Sequence, residues 1–440
     1  MKQKLLMLMI ALFALTAGTR AANVVKMELY DGLAVNDDVN NAVTLLVKQK
    51  VLTKSSNSLL NTIDYYKDSK LLFSFEPTTK TRYVVRVPQD VTWDDNFEYT
   101  NVTGTLRVAF SVAINETNFP DKNFQLYVIG NFDTKNDVRL SKAEATAVTK
   151  IDVRGKTVND LTGIRYFTEL QELFCQNGLE ESESDNNLTK LNLSYNTKLT
   201  YIGCGQNRNL ASLNISKCND LENLYCPNCK LTTLNLQNKP KLWRVYCLGN
   251  QLETLDVSSN KSLQTLDCQN NLLTSLIVAQ DTPNTGLGLI NCYNNQLTTI
   301  DVTNLAGLKY LCCYCNNIKG AGLEALLNSL PDRTSDDLGD LQFIWVDNDQ
   351  NYCTPRQVEI ARAKNWKVSN IQGAEYPGAD VVPGDANSDS VVNADDIVIL
   401  CQYLLGLAPD CFEAEAADFN DDGDVNIEDI TEIINTIVGE

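Results

Sequence analysis

Between Leu170 and Ile318 apolar and polar positions recur in fixed phase along the chain, in a unit that reads L-x-x-L-x-C-x-x-N-x-L-x-x-L-x-V. One copy is Leu242-x-x-Val245-x-Cys247-x-x-Asn250-x-Leu252-x-x-Leu255-x-Val257. The next is Leu263-x-x-Leu266-x-Cys268-x-x-Asn271-x-Leu273-x-x-Leu276-x-Val278. Further copies centre on Cys175, Cys204, Cys226, Cys292 and Cys313, and the steps between the seven cysteines are 29, 22, 21, 21, 24 and 21 residues. A step near 21 predicts one coil per repeat. No coil can bury its own apolar face, so neighbours stack into a continuous core. The Asn column (Asn207, Asn250, Asn271, Asn295, Asn316) suits amides that bond the backbone at each turn, with Cys218 and Cys229 standing in for Asn. Cys226-x-x-Cys229 then falls on ladder positions, where buried thiols behave as small hydrophobes rather than as a redox or metal pair.

This repeat resembles bacterial leucine-rich repeats of the short, internalin-like type. The resemblance implies an α/β fold: a solenoid over 151–318 with an α/β cap over 319–377. In the cap, Leu323–Leu330 and Thr354–Ala363 read as helices, and Leu341–Val346 and Trp366–Val368 as strands. In the L-x-x-L-x-C strand the x positions point away from the core. They hold Tyr201, Tyr225, Trp243, Tyr246 and Tyr310, with Arg244 beside them. Aromatic and Arg side chains on a rigid ladder can anchor a protein or stack on sugar rings, so this face is the candidate ligand surface, centred on Trp243 and Tyr246.

Ahead of the repeats, residues 22–118 alternate in short runs such as Leu71–Phe75, Tyr83–Val87 and Leu106–Phe110, which predicts a β-rich domain. Tyr65, Tyr66 and Trp93 within it are expected to pack in its core rather than to form a sugar platform. Over 119–150, Asp133, Asp137, Ser141 and Glu144 occupy the first, fifth, ninth and twelfth places of a loop resembling an EF-hand. Lys135 sits where a ligand belongs and Val138 where Gly makes the turn, so the loop is expected to keep its fold without an ion.

After a Gly- and Pro-containing linker over 373–383, residues 378–440 carry two further loops, each followed by an apolar-periodic helix. The first places Asp385, Asn387, Asp389, Val391, Asn393 and Asp396 at positions one, three, five, seven, nine and twelve. The second places Asp418, Asn420, Asp422, Asp424, Asn426 and Asp429 there. Calcium takes six to eight oxygens, and such a loop supplies them from the side chains at one, three, five and twelve, the seventh carbonyl and the ninth residue. Scattered acidic residues would not fall on these places twice. Ser390 stands where Gly is usual, so the first site is expected to be the weaker. The duplicated loop and helix, with Asp at position twelve, resemble a type I dockerin. The resemblance implies two calcium ions, a cohesin-type partner on a scaffold, and Ala394, Asp395, Ile427 and Glu428 as the residues that set partner choice. Cys401 and Cys411 are candidates for a disulfide, which an oxidising compartment would permit.

The N-terminus follows the pattern of a signal peptide over 1–21: Lys2 and Lys4, an apolar run Leu5–Leu15, then small residues. Its removal near Ala21 takes three basic residues and moves the net charge from −19 to −22. An acidic chain is repelled by nucleic-acid phosphates, and no later segment has the ~20 apolar residues of a membrane span. The protein is expected to be secreted or on the cell surface. The sequence contains no His, which excludes Ser-His-Asp and Cys-His catalysis and His-based zinc sites. A glycoside hydrolase needs only paired carboxylates, but 22–118 is too short for the usual catalytic barrels. The expectation is a non-catalytic binding protein tethered by its dockerin, with a dockerin-bearing hydrolase or a purely structural adhesin as alternatives.

Overall fold

The computed structural model describes residues 23–439 except 31–32, 59, 80–81, 89–90, 92–95, 102–103, 180–181, 183–184, 279–282 and 346–348. The expected signal peptide, Trp93 and Val346 lie outside the described residues. Two compact units divide between Val148 and Thr149.

In the first unit, a four-stranded antiparallel sheet runs in chain order through Thr53–Asn57, Thr62–Lys67, Lys70–Thr79 and Arg82–Arg86. In a three-stranded sheet, Gly104–Phe110 pairs in parallel with Asn23–Leu29 and antiparallel with Phe97–Asn101. Leu29, Val43, Leu46, Phe73, Val85 and Val108 form the core. Tyr65 stacks on Phe73 at 4.9 Å and is buried there, as core packing requires. One helix departs from the β-rich expectation. Asp37–Lys48 starts at the Asn36 cap, carries Asp37 and Asp38 against the positive end of the helix dipole, and buries Val39, Val43 and Leu46. That spacing of four and three is a helical period. The helices Lys122–Phe132 and Lys142–Thr146 flank the loop at 133–144, and Arg139–Leu140 pairs with Val112–Ala113.

The second unit is the solenoid with its cap and the C-terminal module. A ten-stranded sheet of parallel strands runs from Lys150–Asp152 to Trp366–Asn370. Each repeat contributes three residues, such as Arg244–Tyr246 and Thr265–Asp267. The middle residue of each (Leu173, Ile202, Leu224, Val245, Leu266, Ile290, Leu311) is fully buried, as are all seven column cysteines. The Asn side chains knit successive coils. Asn271 donates to the carbonyls of Cys247 (3.1 Å) and Cys268 (2.9 Å) and accepts from the Leu252 amide at 3.1 Å. Asn207, Asn250, Asn295 and Asn316 repeat this pattern. Cys229 takes the same place, its thiol reaching the Cys204 carbonyl at 3.6 Å.

A second ladder on the other side of the coils runs through Asn196, Cys218, Lys239, Asn260 and Asn284. Lys239 is buried, donates to the Ile215 carbonyl at 3.0 Å, and has its pKa lowered by that burial. The cap comprises the helix Gly320–Ser329, the strand Gly339–Ile344, the helix Pro355–Ala363 and the strand Trp366–Asn370. All fourteen cysteines, Cys401 and Cys411 included, are free thiols.

Candidate functional site

The two C-terminal loops repeat one hydrogen-bond frame. In the first, the Asp385 carboxylate accepts from the Asp389 amide at 2.9 Å and the Ser390 amide at 2.8 Å, while Asp396 accepts from Asn387 at 3.1 Å and Asn393 at 2.8 Å. In the second, Asp418 accepts from Asp422 at 3.1 Å and Gly423 at 2.9 Å, and Asp429 from Asn420 at 3.3 Å and Asn426 at 2.8 Å. The backbone is left-handed at positions four and six of both: φ is +56° at Ser388, +71° at Ser390, +57° at Asp421 and +90° at Gly423. Ser390 thus adopts the turn that Gly makes in the other copy. Asn393 and Asn426 cap the helices Ala394–Leu404 and Ile427–Val438. Leu400 and Ile433 from these helices pack with Ala386 and Ala417 in the module's small core. Alternating Asp and Asn therefore ring a turn whose amides point inward, and each apolar helix fixes the twelfth carboxylate at its first turn.

On the repeats, the structure brings together part of the expected ligand surface. Tyr225 and Tyr246 are register partners and stack at 4.7 Å with an 8° interplanar angle. Tyr201 joins them at 5.4 Å by leaning over Gly203, which leaves its own column position open, and Phe174 extends the row at 4.7 Å. Lys150 lies over the end ring, 4.4 Å from its centroid. Trp243 is off this row and faces the Arg244 guanidinium at 3.9 Å. Tyr310 stands four strands beyond Tyr201's neighbour Asn223, in the other outward column. The centre expected at Trp243 and Tyr246 is therefore two separate features. Phe174, at an x position of Leu170-x-x-Leu173-x-Cys175, belongs to the row although it lies outside the expected set. A second stack, Tyr293 on Tyr314 at 4.4 Å, follows the cysteines by one residue and also escaped the pattern.

Residues 383–438 match the dockerin type I domain. A curated relative, internalin J of Listeria monocytogenes serotype 4b (strain F2365), is 33% identical over 119 residues, which is 27% of this chain and 12% of internalin J. The C-terminal module is a type I dockerin, and the repeats are internalin-like. Among solved structures, the functional domain of internalin J from Listeria monocytogenes, described as including a cysteine ladder, is 27% identical. The alignment covers 54% of this chain and 58% of that one with a TM-score of 0.29. Internalin C2 from Listeria monocytogenes strain 4b F2365 is 20% identical over 47% of this chain and 89% of its own, with a TM-score of 0.38. The chain spans only a small part of the length of internalin J.

Type I dockerins bind calcium, and the donors present here fit a hard divalent cation: they are all oxygens, and carboxylates predominate. Burial first, and then the Asp396 and Asp389 carboxylates, outweigh the backbone N–H bonds and push Asp385 up to about 6. Asp396 is raised by burial as well. Buried carboxylates that repel one another are relieved by a cation. Asp385, Asn387, Asp389 and Asp396 would hold it in the first loop and Asp418, Asn420, Asp422 and Asp429 in the second, with the Val391 and Asp424 carbonyls and Asn393 and Asn426 at the remaining places. The residues expected to set partner choice, Ala394, Asp395, Ile427 and Glu428, are all exposed at the first turns of the two helices, and Ile427 is 71% exposed.

The loop at 133–144 has the same frame. Asp133 accepts from the amides of Asp137 (3.1 Å) and Val138 (2.8 Å), and φ is +54° at Asn136 and +57° at Val138. It differs at the twelfth place. There Glu144 accepts from the hydroxyls of Thr134 (2.8 Å) and Ser141 (2.7 Å) besides the Lys135 and Ser141 amides. Burial raises Glu144, but those bonds and the Lys135 charge outweigh it and hold its pKa below the ordinary value.

Proposed function

We propose that this is a secreted, non-catalytic binding protein whose solenoid recognises a protein ligand while its dockerin, loaded with two calcium ions, tethers it to a cohesin-bearing scaffold. The frame repeated around Asp385 and Asp418 is the observation that carries the tethering half, because it sets oxygen donors at the same places twice. The loop at 133–144 is read as a structural relative in which Lys135 supplies the positive charge. No helix among the described residues is long and apolar enough to cross a membrane, in keeping with a protein held at a surface by its partner.

The stacked row favours a protein over a glycan as ligand. Tyr225 and Tyr246 cover each other's faces, so the row offers hydroxyls and ring edges, whereas a sugar needs an open ring face. Tyr, Trp and Arg are the usual anchors of protein interfaces. Isothermal titration should count two calcium ions per chain, and immobilised cohesins should retain the chain with calcium and release it with chelator. A count of none, or retention indifferent to chelator, contradicts the tethering half. Surface extracts and glycan arrays probed with wild type and a folded Tyr225→Ala/Tyr246→Ala variant test the other half. Equal binding by both places the ligand elsewhere.

A further inference from the structure

We infer that the first dockerin loop is an intrachain seat, and that the ion bound there locks the dockerin onto the cap of the solenoid. The inference rests on the reading that the loops bind calcium. The two loops share one fold and differ in cover. Asp385 is 2% exposed, Asn387 9% and Ser388 0%, whereas their second-loop counterparts Asp418 and Asn420 are half-buried and Asp421 is exposed. The cap supplies part of that cover. The Gly320 amide donates to the Ser388 carbonyl at 2.9 Å. Gly320 has φ +51°, and a Cβ there would lie 3.1 Å from the Asn387 carbonyl, so the loop is seated on a position without a side chain.

A buried charged bridge joins the same parts. Glu413, 5% exposed, donates its amide to the Ala386 carbonyl at 3.0 Å. Its carboxylate accepts from the Thr354 hydroxyl at 2.7 Å and the Arg356 guanidinium at 3.2 Å, and Arg356 also pairs with buried Glu324 of the cap. Residue choice follows the seat. Position four is the small, neutral Ser388 where it is covered, and the charged Asp421 where it faces solvent.

The seat contacts are carbonyls of the loop itself, and their direction depends on the left-handed turn at Ser388 and Ser390. Ordering that turn around a cation and seating it on Gly320 favour the same loop conformation, so each stabilises the other. Such coupling is reciprocal, typically 5–150-fold in affinity.

Hydrogen exchange and calcium titration of the full chain test this. With calcium, the peptide containing Gly320 should be protected. Chelator or Asp385→Ala should speed its exchange at least tenfold, while Asp418→Ala leaves it within twofold. Because Asp385→Ala can unfold the module, Arg356→Ala, which removes the bridge to Glu413 and leaves every loop donor in place, provides a second reading. It should weaken calcium at the first loop by about tenfold and leave the second unchanged. Two ions bound with the Gly320 peptide indifferent to both, or Arg356→Ala without effect on either affinity, overturns the seat alone. A chain that binds no calcium overturns the calcium reading itself.

Discussion

The solenoid and the dockerin solve the same problem of small units that cannot fold alone, and they solve it with opposite chemistry. A coil of about 21 residues buries several Leu, Ile or Val side chains together with Cys and Asn, and leans on the similar coil beside it. Its polar groups are neutralised internally: the Asn271 amide alone satisfies two carbonyls and an N–H. A dockerin loop collects carboxylates that nothing in the loop neutralises, and its helices share a small core around Leu400 and Ile433. Neighbour stacking stabilises the first region, and on the proposed reading cation binding would supply the second with folding energy. A repeat can therefore tolerate Cys229 or Lys239 in an Asn place, while a loop that loses a carboxylate loses its reason to close.

The contrast can be broken most severely inside the ladder. Asn271→Ala leaves the buried Leu252 amide unpaired and takes one of two bonds from each of the Cys247 and Cys268 carbonyls, which keep Asn250 and Asn295, and should cost about 2 kcal/mol. Urea unfolding followed by the tyrosine signal of the solenoid measures this, and the calcium affinities should not move. At the dockerin surface the expected effect is smaller. Ile427→Asp should weaken cohesin binding about tenfold, or ~1.4 kcal/mol, and Ala394→Asp should do less because that end lies nearer the seat. Surface plasmon resonance of the two variants decides between them.

The last effect is pH dependence, small for each thiol and summed over the column. Burial raises Cys268 well above its ordinary 9.0, as it does Cys204, Cys226, Cys292 and Cys313. These thiols stay protonated in the folded solenoid at a pH where they ionise in the unfolded chain. The unfolded state then binds fewer protons, so stability falls as pH rises above about 9. Melting at pH 8 and pH 10 tests the sign, and Cys268→Ala should reduce the difference.

The repeat, the twelve-residue loops and the cap helices were legible because each follows from a spacing: 21 residues per coil, positions one to twelve, or a helical period. The helix Asp37–Lys48 had such a signal, with Val39, Val43 and Leu46 in phase behind an Asn cap, but it lay among β-rich runs. What spacing cannot carry is which outward side chains meet. Tyr201 reached the Tyr225–Tyr246 row only because Gly203 opened a place for it. Trp243 shares a coil with Tyr246 and turns instead to Arg244. The burial of Ser388 was likewise hidden, since it depends on a cap glycine 68 residues earlier.

Calorimetry of the full chain with and without calcium chelator tests the central claim most directly. The account predicts that chelation removes the dockerin's unfolding transition and the matching part of the helical circular dichroism, while the transition of the repeats stays. A thermogram unchanged by chelator, or one in which the repeats melt with the dockerin, contradicts it.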